Sequence, residues 1–200
     1  GILVFLVFVG ITIASFKQPS DQVAALTPQP GGYDLAADAC EADWYYPSYM
    51  MTLSGNRLVC ASQRLPSNGL VLPLEMVLLS TGETVGPALW IEKAVEKEFL
   101  GTEYPLYAVQ PGDHFTARIG CAQDQAHCDT IVVISFIDEN RRIAEEDAWV
   151  KISNDQPLVD VDIDLSDLVG EQISVNMQIF PYSQDSSLCQ VAIIPPRIGQ

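Results

Sequence analysis

Hydrophobic and polar positions alternate along three long segments in the second half of the chain. LVDVDIDL (158–165) places Asp between apolar residues, and QISVNMQIF (172–180) alternates in the same way. TIVVISFID (130–138) is instead a β-branched run bounded by polar residues. Period-two alternation is typical of strands with one buried face, and an unbroken β-branched run is typical of a strand buried on both. All three segments are predicted to be strands.

Shorter segments with strand character fill most of the remaining chain after residue 40. They are 56–62, 70–79, 86–91, 104–110, 113–120 and 188–194. Turn signals such as Pro111–Gly112–Asp113 separate them. Short strands divided by turns favour an antiparallel sandwich or barrel over βαβ units. One short helix is predicted at 91–99 (IEKAVEKEF), and Glu145–Asp147 are predicted to form an acidic turn.

The first 16 residues, GILVFLVFVGITIASF, contain no charge, and Lys17 is the first charged residue. As a helix this segment would span about 24 Å, short of the ~30 Å core of a bilayer. Residues 17–39 contain Pro19, Pro28, Pro30 and the pair Gly31–Gly32, and such a composition predicts a linker. The predicted organisation is therefore an apolar α-helix (1–16), a linker (17–39) and a mainly β domain (40–200).

Three interpretations of the apolar helix compete. It could be the apolar region of a secretory signal peptide, a membrane anchor with Lys17 at the interface, or the core helix of a filament. An apolar N-terminal helix before a β-rich head resembles type IV pilins and archaeal flagellin-like subunits, although Phe5 stands where bacterial pilins carry Glu. That resemblance implies self-association through the apolar residues of the helix: Ile2, Leu3, Phe5, Leu6, Phe8, Val9, Ile11, Ile13 and Phe16.

A second resemblance covers about half of the chain. Its motifs are YAVQPGDHFTARIGC (107–121), CDTIVVISFID (128–138), Trp149, VDVDIDLSDLVGEQISVNMQIF (159–180) and IIPPRI (193–198). In this order they resemble secreted bacterial jelly-roll modules that are similar to NPCBM-type and other galactose-binding-like domains. The resemblance implies a jelly-roll β-sandwich and an extracellular setting, and it does not imply catalysis. The stretch Val191–Ile194 is aliphatic where members often carry an aromatic residue.

Composition narrows the choice of function. The chain has 26 acidic and 10 basic residues, a formal net charge of −16 and 48% hydrophobic residues. Disorder requires low hydrophobicity together with high charge, so the chain is predicted to fold. Nucleic acid is excluded as a partner because its phosphates would be repelled. The chain contains two His, which excludes a His-rich metal site.

The chain has five Cys, which favours an oxidising compartment and hence an extracellular or cell-surface location. Cys121 and Cys128 are separated by AQDQAH, a spacing that suits a disulfide closing a loop. Among Cys40, Cys60 and Cys189, the pair Cys40–Cys60 is nearest in sequence. Pairing of Cys189 with Cys40 or with Cys60 stays open.

Few residues are candidates for chemistry, and no motif for a nucleophile, a phosphate loop or a zinc protease is present. We therefore expect no catalytic residues, no required cofactor and no enzyme activity. Alternating carboxylates on one strand face could supply oxygen ligands for Ca²⁺. The alternative is a solvated strand face without a ligand, which also discourages edge-to-edge pairing. The carboxylates are those of Asp160, Asp162, Asp164 and Asp167. An aromatic cluster is the candidate surface for sugar stacking or for an interface: Trp44, Tyr45, Tyr46 and Tyr49.

Two functional hypotheses follow. The first is a non-catalytic, pilin-like subunit that polymerises through its apolar helix into an extracellular filament with an acidic β-sandwich head. The alternative is a membrane-tethered carbohydrate-binding module, or an accessory subunit of an envelope membrane complex, with glycan or envelope proteins as partners.

Overall fold

The computed structural model describes residues 32–45, 70–93, 99–122, 128–140, 142–156, 158–182 and 189–200. Within these ranges the chain forms strands and one 3₁₀ helix, Ser166–Leu168. The strands, in chain order, are β1 (Tyr33–Asp34), β2 (Asp43–Tyr45), β3 (Leu70–Leu74), β4 (Val77–Leu78), β5 (Thr84–Val85), β6 (Ala88–Lys93), β7 (Leu100–Glu103), β8 (Tyr107–Ala108), β9 (His114–Cys121), β10 (Thr130–Asp138), β11 (Ile143–Ile152), β12 (Val159–Asp164), β13 (Gln172–Pro181) and β14 (Cys189–Gly199).

Two antiparallel sheets form a sandwich. Sheet A has the order β11-β10-β13-β7-β2, with β8 also paired to β13. Sheet B has the order β12-β9-β14-β6-β3, with β1 also paired to β14. The arrangement of β6-β14-β9-β12 against β7-β13-β10-β11 is the strand order of a jelly roll. The predicted mainly β, antiparallel jelly-roll sandwich is confirmed.

The alternation of side chains along each strand explains which residues face the core between the two sheets. In β10, Val132, Ile134 and Phe136 belong to the core, and in β13 so do the alternate residues from Ile173 to Ile179. From sheet B, Phe115 of β9 reaches across, and its ring meets that of Phe136 edge-on at 5.8 Å between centroids. Burying one face of each sheet supplies the main stabilisation of the fold.

Buried tyrosines close one end of the sandwich. The Tyr33 ring of β1 stacks on the Tyr107 ring of β8 at 5.4 Å between centroids. The Tyr107 hydroxyl donates a hydrogen bond of 2.9 Å to Asp113 Oδ2. Burial, followed by this contact with Asp113, raises the pKa of Tyr107 to about 12. Burial also raises the pKa of Tyr104, so all of these phenols stay neutral and pack as core residues.

The outer face of sheet B is partly covered. The hairpin β4–β5 places Val77, Leu79 and Val85 over sheet B, where they form a second apolar cluster with Ala192 and Ile194. Within the described residues, no comparable cluster lies over the outer face of sheet A. The outer faces of the two sheets therefore have different surroundings.

The structure differs from the sequence predictions at three places. Glu145–Asp147, expected to form an acidic turn, lie inside strand β11. Ile91–Lys93, expected to start a helix, end strand β6 because they pair with β14, and residues 94–98 lie outside the described residues. Residues 33–39, expected to belong to the linker, contribute β1 and core side chains such as Leu35 and Ala39.

Truncating Phe136 tests the core. We expect Phe136→Ala to lower the free energy of unfolding by about 3–5 kcal/mol, because the side chain is fully buried between the sheets. Met76, which is 68% exposed, provides the control, and Met76→Ala should change it by less than about 0.5 kcal/mol. Chemical denaturation measures both. A Phe136→Ala loss below about 1 kcal/mol would contradict the assigned core.

Candidate functional site on the outer face of sheet A

One row of residues crosses the outer face of sheet A from edge to edge. The strand registers place Trp149 of β11 opposite Val133 of β10, which lies opposite Gln178 of β13. Gln178 lies opposite Gly101 of β7, and Gly101 opposite Tyr45 of β2. Four strand spacings separate the two aromatic ends, a distance of about 19 Å. We call this row, together with Asn176, Phe99 and Phe180, the platform.

Gly101 allows Tyr45 to lie across the platform. A Cβ atom at Gly101 would approach Cε2 and Cζ of the Tyr45 ring to 2.5 Å. The ring therefore occupies the space that a side chain on β7 would otherwise fill. An aromatic residue that covers a glycine on the neighbouring strand is a known way to stabilise such a position. The result is a flat aromatic surface at the β2 edge.

Side-chain amides connect the centre of the platform to this ring. Gln178 Nε2 donates a hydrogen bond of 3.0 Å to Asn176 Oδ1, and Asn176 Nδ2 donates one of 3.1 Å to the Tyr45 hydroxyl. Asn176 is only 2% exposed. A buried amide with both of its groups bonded is held in one orientation. The chain Gln178–Asn176–Tyr45 thus fixes the tyrosine relative to the sheet.

Two further aromatic rings extend the platform from Tyr45. The Phe99 ring meets that of Tyr45 edge-on, with 6.3 Å between centroids. Phe99 and Phe180 contact each other at 4.9 Å between centroids. Both phenylalanines are half-buried, so one part of each ring packs against the protein and the rest is accessible to solvent.

The β11 edge of the platform is the exposed one. Trp149 is 66% exposed and Tyr182, just after β13, is 56% exposed. Lys151, two residues after Trp149, holds its Nζ 3.7 Å from the centroid of the Tyr182 ring. Large aromatic side chains are costly to leave in water, so these two exposed rings are candidates for contacts with a ligand.

The structure divides the predicted aromatic cluster. Trp44 is 6% exposed, packs in the core and donates its indole N–H to the Ala39 carbonyl at 2.9 Å. It is therefore not part of an aromatic binding surface. Tyr45 points to the opposite face and joins the platform. Tyr46 and Tyr49 lie outside the described residues. The sequence did not single out Trp149 as a surface aromatic, although its alternation with Val150 and Ile152 was a usable signal.

The four aspartates proposed as calcium ligands do not share a common site, and each has different neighbours. Asp162 Oδ1 lies 2.7 Å from His114 Nδ1, and Asp164 Oδ1 accepts a bond of 2.8 Å from the Ser166 backbone N–H. Asp160 lies opposite Arg118, and Asp167 is exposed in the 3₁₀ helix. In the part of the chain that the structure describes, no group of three or more acidic, His or Cys residues is arranged to hold a metal ion.

The predicted disulfide between Cys121 and Cys128 is confirmed. It joins the end of β9 in sheet B to the residue two before β10 in sheet A, so it ties the sheets together at one end. Cys40 is also disulfide-bonded. Cys60 and the side chain of Cys189 lie outside the described residues, so the pairing of Cys40 stays open.

The proposed assembly helix, from Ile2 to Phe16, lies outside the described residues. Across the ranges that the structure does describe, no helix has the length and apolar character needed to span a membrane.

No protein-family model and no curated protein matches this chain. Among solved structures, it is similar to a carbohydrate-binding module of the β-sandwich superfamily, with 9% identity and a TM-score of 0.44 over 86% of this chain and 63% of that one. It is also similar to a family 61 carbohydrate-binding module solved with β-1,4-galactotriose, with 5% identity and a TM-score of 0.47 over 88% and 99%. A third is the family 11 carbohydrate-binding module of a Clostridium thermocellum cellulase, with 10% identity and a TM-score of 0.40 over 86% and 95%.

These neighbours are β-sandwich carbohydrate-binding modules, the kind of domain that the sequence motifs of the head resemble. The resemblance to pilins has no support from them. This chain spans just under two thirds of the length of the first neighbour.

His114 offers a test of the electrostatics on the opposite sheet. Its hydrogen bond with Asp162 raises the pKa of the imidazole above the ordinary 6.5. Asp162 stabilises the protonated imidazole. The contribution of this contact to folding stability is therefore fully present below the ordinary pKa and is lost as pH rises through the raised value. By NMR titration we expect Asp162→Asn to lower the pKa of His114, whereas Asp160→Asn should leave it nearly unchanged. Equal effects of the two variants would contradict the assigned contact.

Proposed function

We propose that the β-sandwich is a non-catalytic carbohydrate-binding domain of a secreted or cell-surface protein, and that its platform binds the glycan. The observation that carries the proposal is the row from Trp149 to Tyr45, with aromatic rings at both ends and the half-buried Gln178 amide between them, above the buried Val133 and Gly101. The Cys121–Cys128 disulfide supports the extracellular setting, because such bonds persist in oxidising compartments.

The chemistry of the row suits sugars. A pyranose ring has apolar C–H faces that pack on aromatic rings, and hydroxyl groups that require donors and acceptors. Trp149 and Tyr45 supply the rings, while Gln178 supplies an amide between them. Ligand sites commonly combine apolar surfaces with a few fixed polar groups. The length of about 19 Å suits an oligosaccharide chain rather than a single sugar.

The amide chain favours pre-organisation. Because Gln178 and Asn176 already hold Tyr45, binding need not order that ring, and the entropic cost of association falls. Filament assembly through residues 1–16 and tethering to a membrane remain predictions from the sequence, since that segment lies outside the described residues.

Removal of the exposed tryptophan tests the proposal directly. On a glycan array followed by calorimetry, we expect Trp149→Ala to weaken binding by about 1–2 kcal/mol, which is roughly five- to thirtyfold in Kd. The reason is the loss of one stacking surface. Met76→Ala removes an equally exposed apolar side chain beside sheet B and should leave the Kd unchanged. Absence of binding to any glycan by the wild-type protein would overturn the proposal.

Gly101 tests the other end of the row. We expect Gly101→Ala to displace the Tyr45 ring and to weaken glycan binding about as much as Tyr45→Ala does, while the fold is retained because the clash falls on a ring rather than on backbone. The double variant Gly101→Ala/Tyr45→Ala should bind no more weakly than Tyr45→Ala alone. Calorimetry gives the three affinities. Additive losses would show that Gly101 acts independently of Tyr45.

A further inference from the structure

Basic residues are distributed unequally over the sandwich. The structure describes four basic side chains. Arg118 and Arg197 lie in sheet B, and Arg142 pairs with Asp138 at 2.8 Å in the turn between β10 and β11. Lys151 is therefore the one described cation on the outer face of sheet A. Among the described side chains of a protein with a formal net charge of −16, Lys151 is thus a cation in contact with an exposed aromatic ring.

Lys151 is held in place by its neighbour. Its Nζ lies 3.7 Å from the centroid of the Tyr182 ring, within the range of a cation–π interaction. Among the described residues, no salt bridge includes Lys151. An ammonium group has three donors and no acceptor, so contact with a ring face leaves donors for an anionic group. The cation is thus positioned before any ligand arrives.

Two acidic residues on the β2 side of sheet A lie far from this cation. Glu103 of β7 and Asp43 of β2 are three and four strands away from β11, about 14 and 19 Å. Both distances exceed the Debye length of about 8 Å in physiological salt. Asp129 borders the Lys151 corner, because the Tyr182 backbone N–H donates to its carbonyl at 2.9 Å. The described cation thus lies on the β11 side of sheet A and Glu103 and Asp43 lie on the β2 side, while β11 also contains the acidic residues Glu145–Asp147.

We infer that the platform takes an otherwise neutral oligosaccharide with a uronic acid unit at the β11 edge, where Trp149 stacks on the sugar ring and Lys151 pairs with its carboxylate. This inference rests on the proposed function. Trp149 and Lys151 stand two residues apart on one face of β11, about 7 Å, which is close to the span of a pyranose ring and its carboxylate. Long polyuronates are disfavoured, because the net charge of the protein repels them.

The experiment compares matched glycans on the full chain. Neutral oligosaccharides and the same chains oxidised at C6 of one terminal unit are tested against wild type, Lys151→Met, Lys151→Arg and Arg118→Gln. We expect the uronate member of at least one pair to bind about three- to tenfold more tightly than its neutral partner. Lys151→Met should abolish that preference, and Lys151→Arg and Arg118→Gln should keep it.

The outcomes distinguish a failure of the uronate preference from a failure of glycan binding. If neutral glycans bind in a Trp149-dependent manner and no uronate member is preferred, the inference is overturned and the proposed function stands. If the uronate preference survives Lys151→Met, the cation is assigned wrongly and the inference is overturned as well. If no glycan binds in either form, the proposed function and the inference fail together.

Discussion

The pairing of β10 with β13 is the constraint on which the rest of the molecule depends. The two strands run antiparallel in one unbroken register, from Thr130 opposite Pro181 to Asp138 opposite Ile173. Because side chains alternate between faces, this register decides at once which residues enter the core and which form the outer face. A slip by one residue would bury Gln178 and expose Met177. Core and platform are therefore two consequences of one hydrogen-bonded ladder.

Aromatic side chains stay exposed to water on the outer face of sheet A, which is energetically unfavourable, whereas apolar side chains on sheet B are covered. On sheet B, the hairpin β4–β5 removes Ile194 and Ala192 from water. On sheet A, Trp149 stays exposed on the edge strand β11 and Tyr182 just after β13, while Asn176 is buried near the centre. A fold optimised only for stability would cover those rings, since exposed apolar area contributes nothing to folding. Their retention beside an ordered amide chain is the strongest structural sign of a binding surface.

Sequence patterns predicted the strands that carry a clear hydrophobic pattern. β10, β12 and β13 lie within one or two residues of their predicted bounds, because each carries a clean run or a clean alternation. β11 was missed because Glu145–Asp147 interrupt its alternation with three consecutive acids, although Val150 and Ile152 continue the buried face. β1 was missed because two residues in a Pro- and Gly-rich segment carry no periodic signal, and only pairing with β14 makes them a strand.

By itself, the sequence determined the β-sandwich class and the Cys121–Cys128 bond, because these follow from local alternation and short spacing. The tertiary structure alone decided which aromatic residues belong together. Trp44 and Tyr45 are adjacent in the chain and point to opposite faces, whereas Tyr45 and Trp149 are distant in the chain and share a row. Only cross-strand pairing places such residues side by side, and pairing partners are not encoded in the pattern of a single strand.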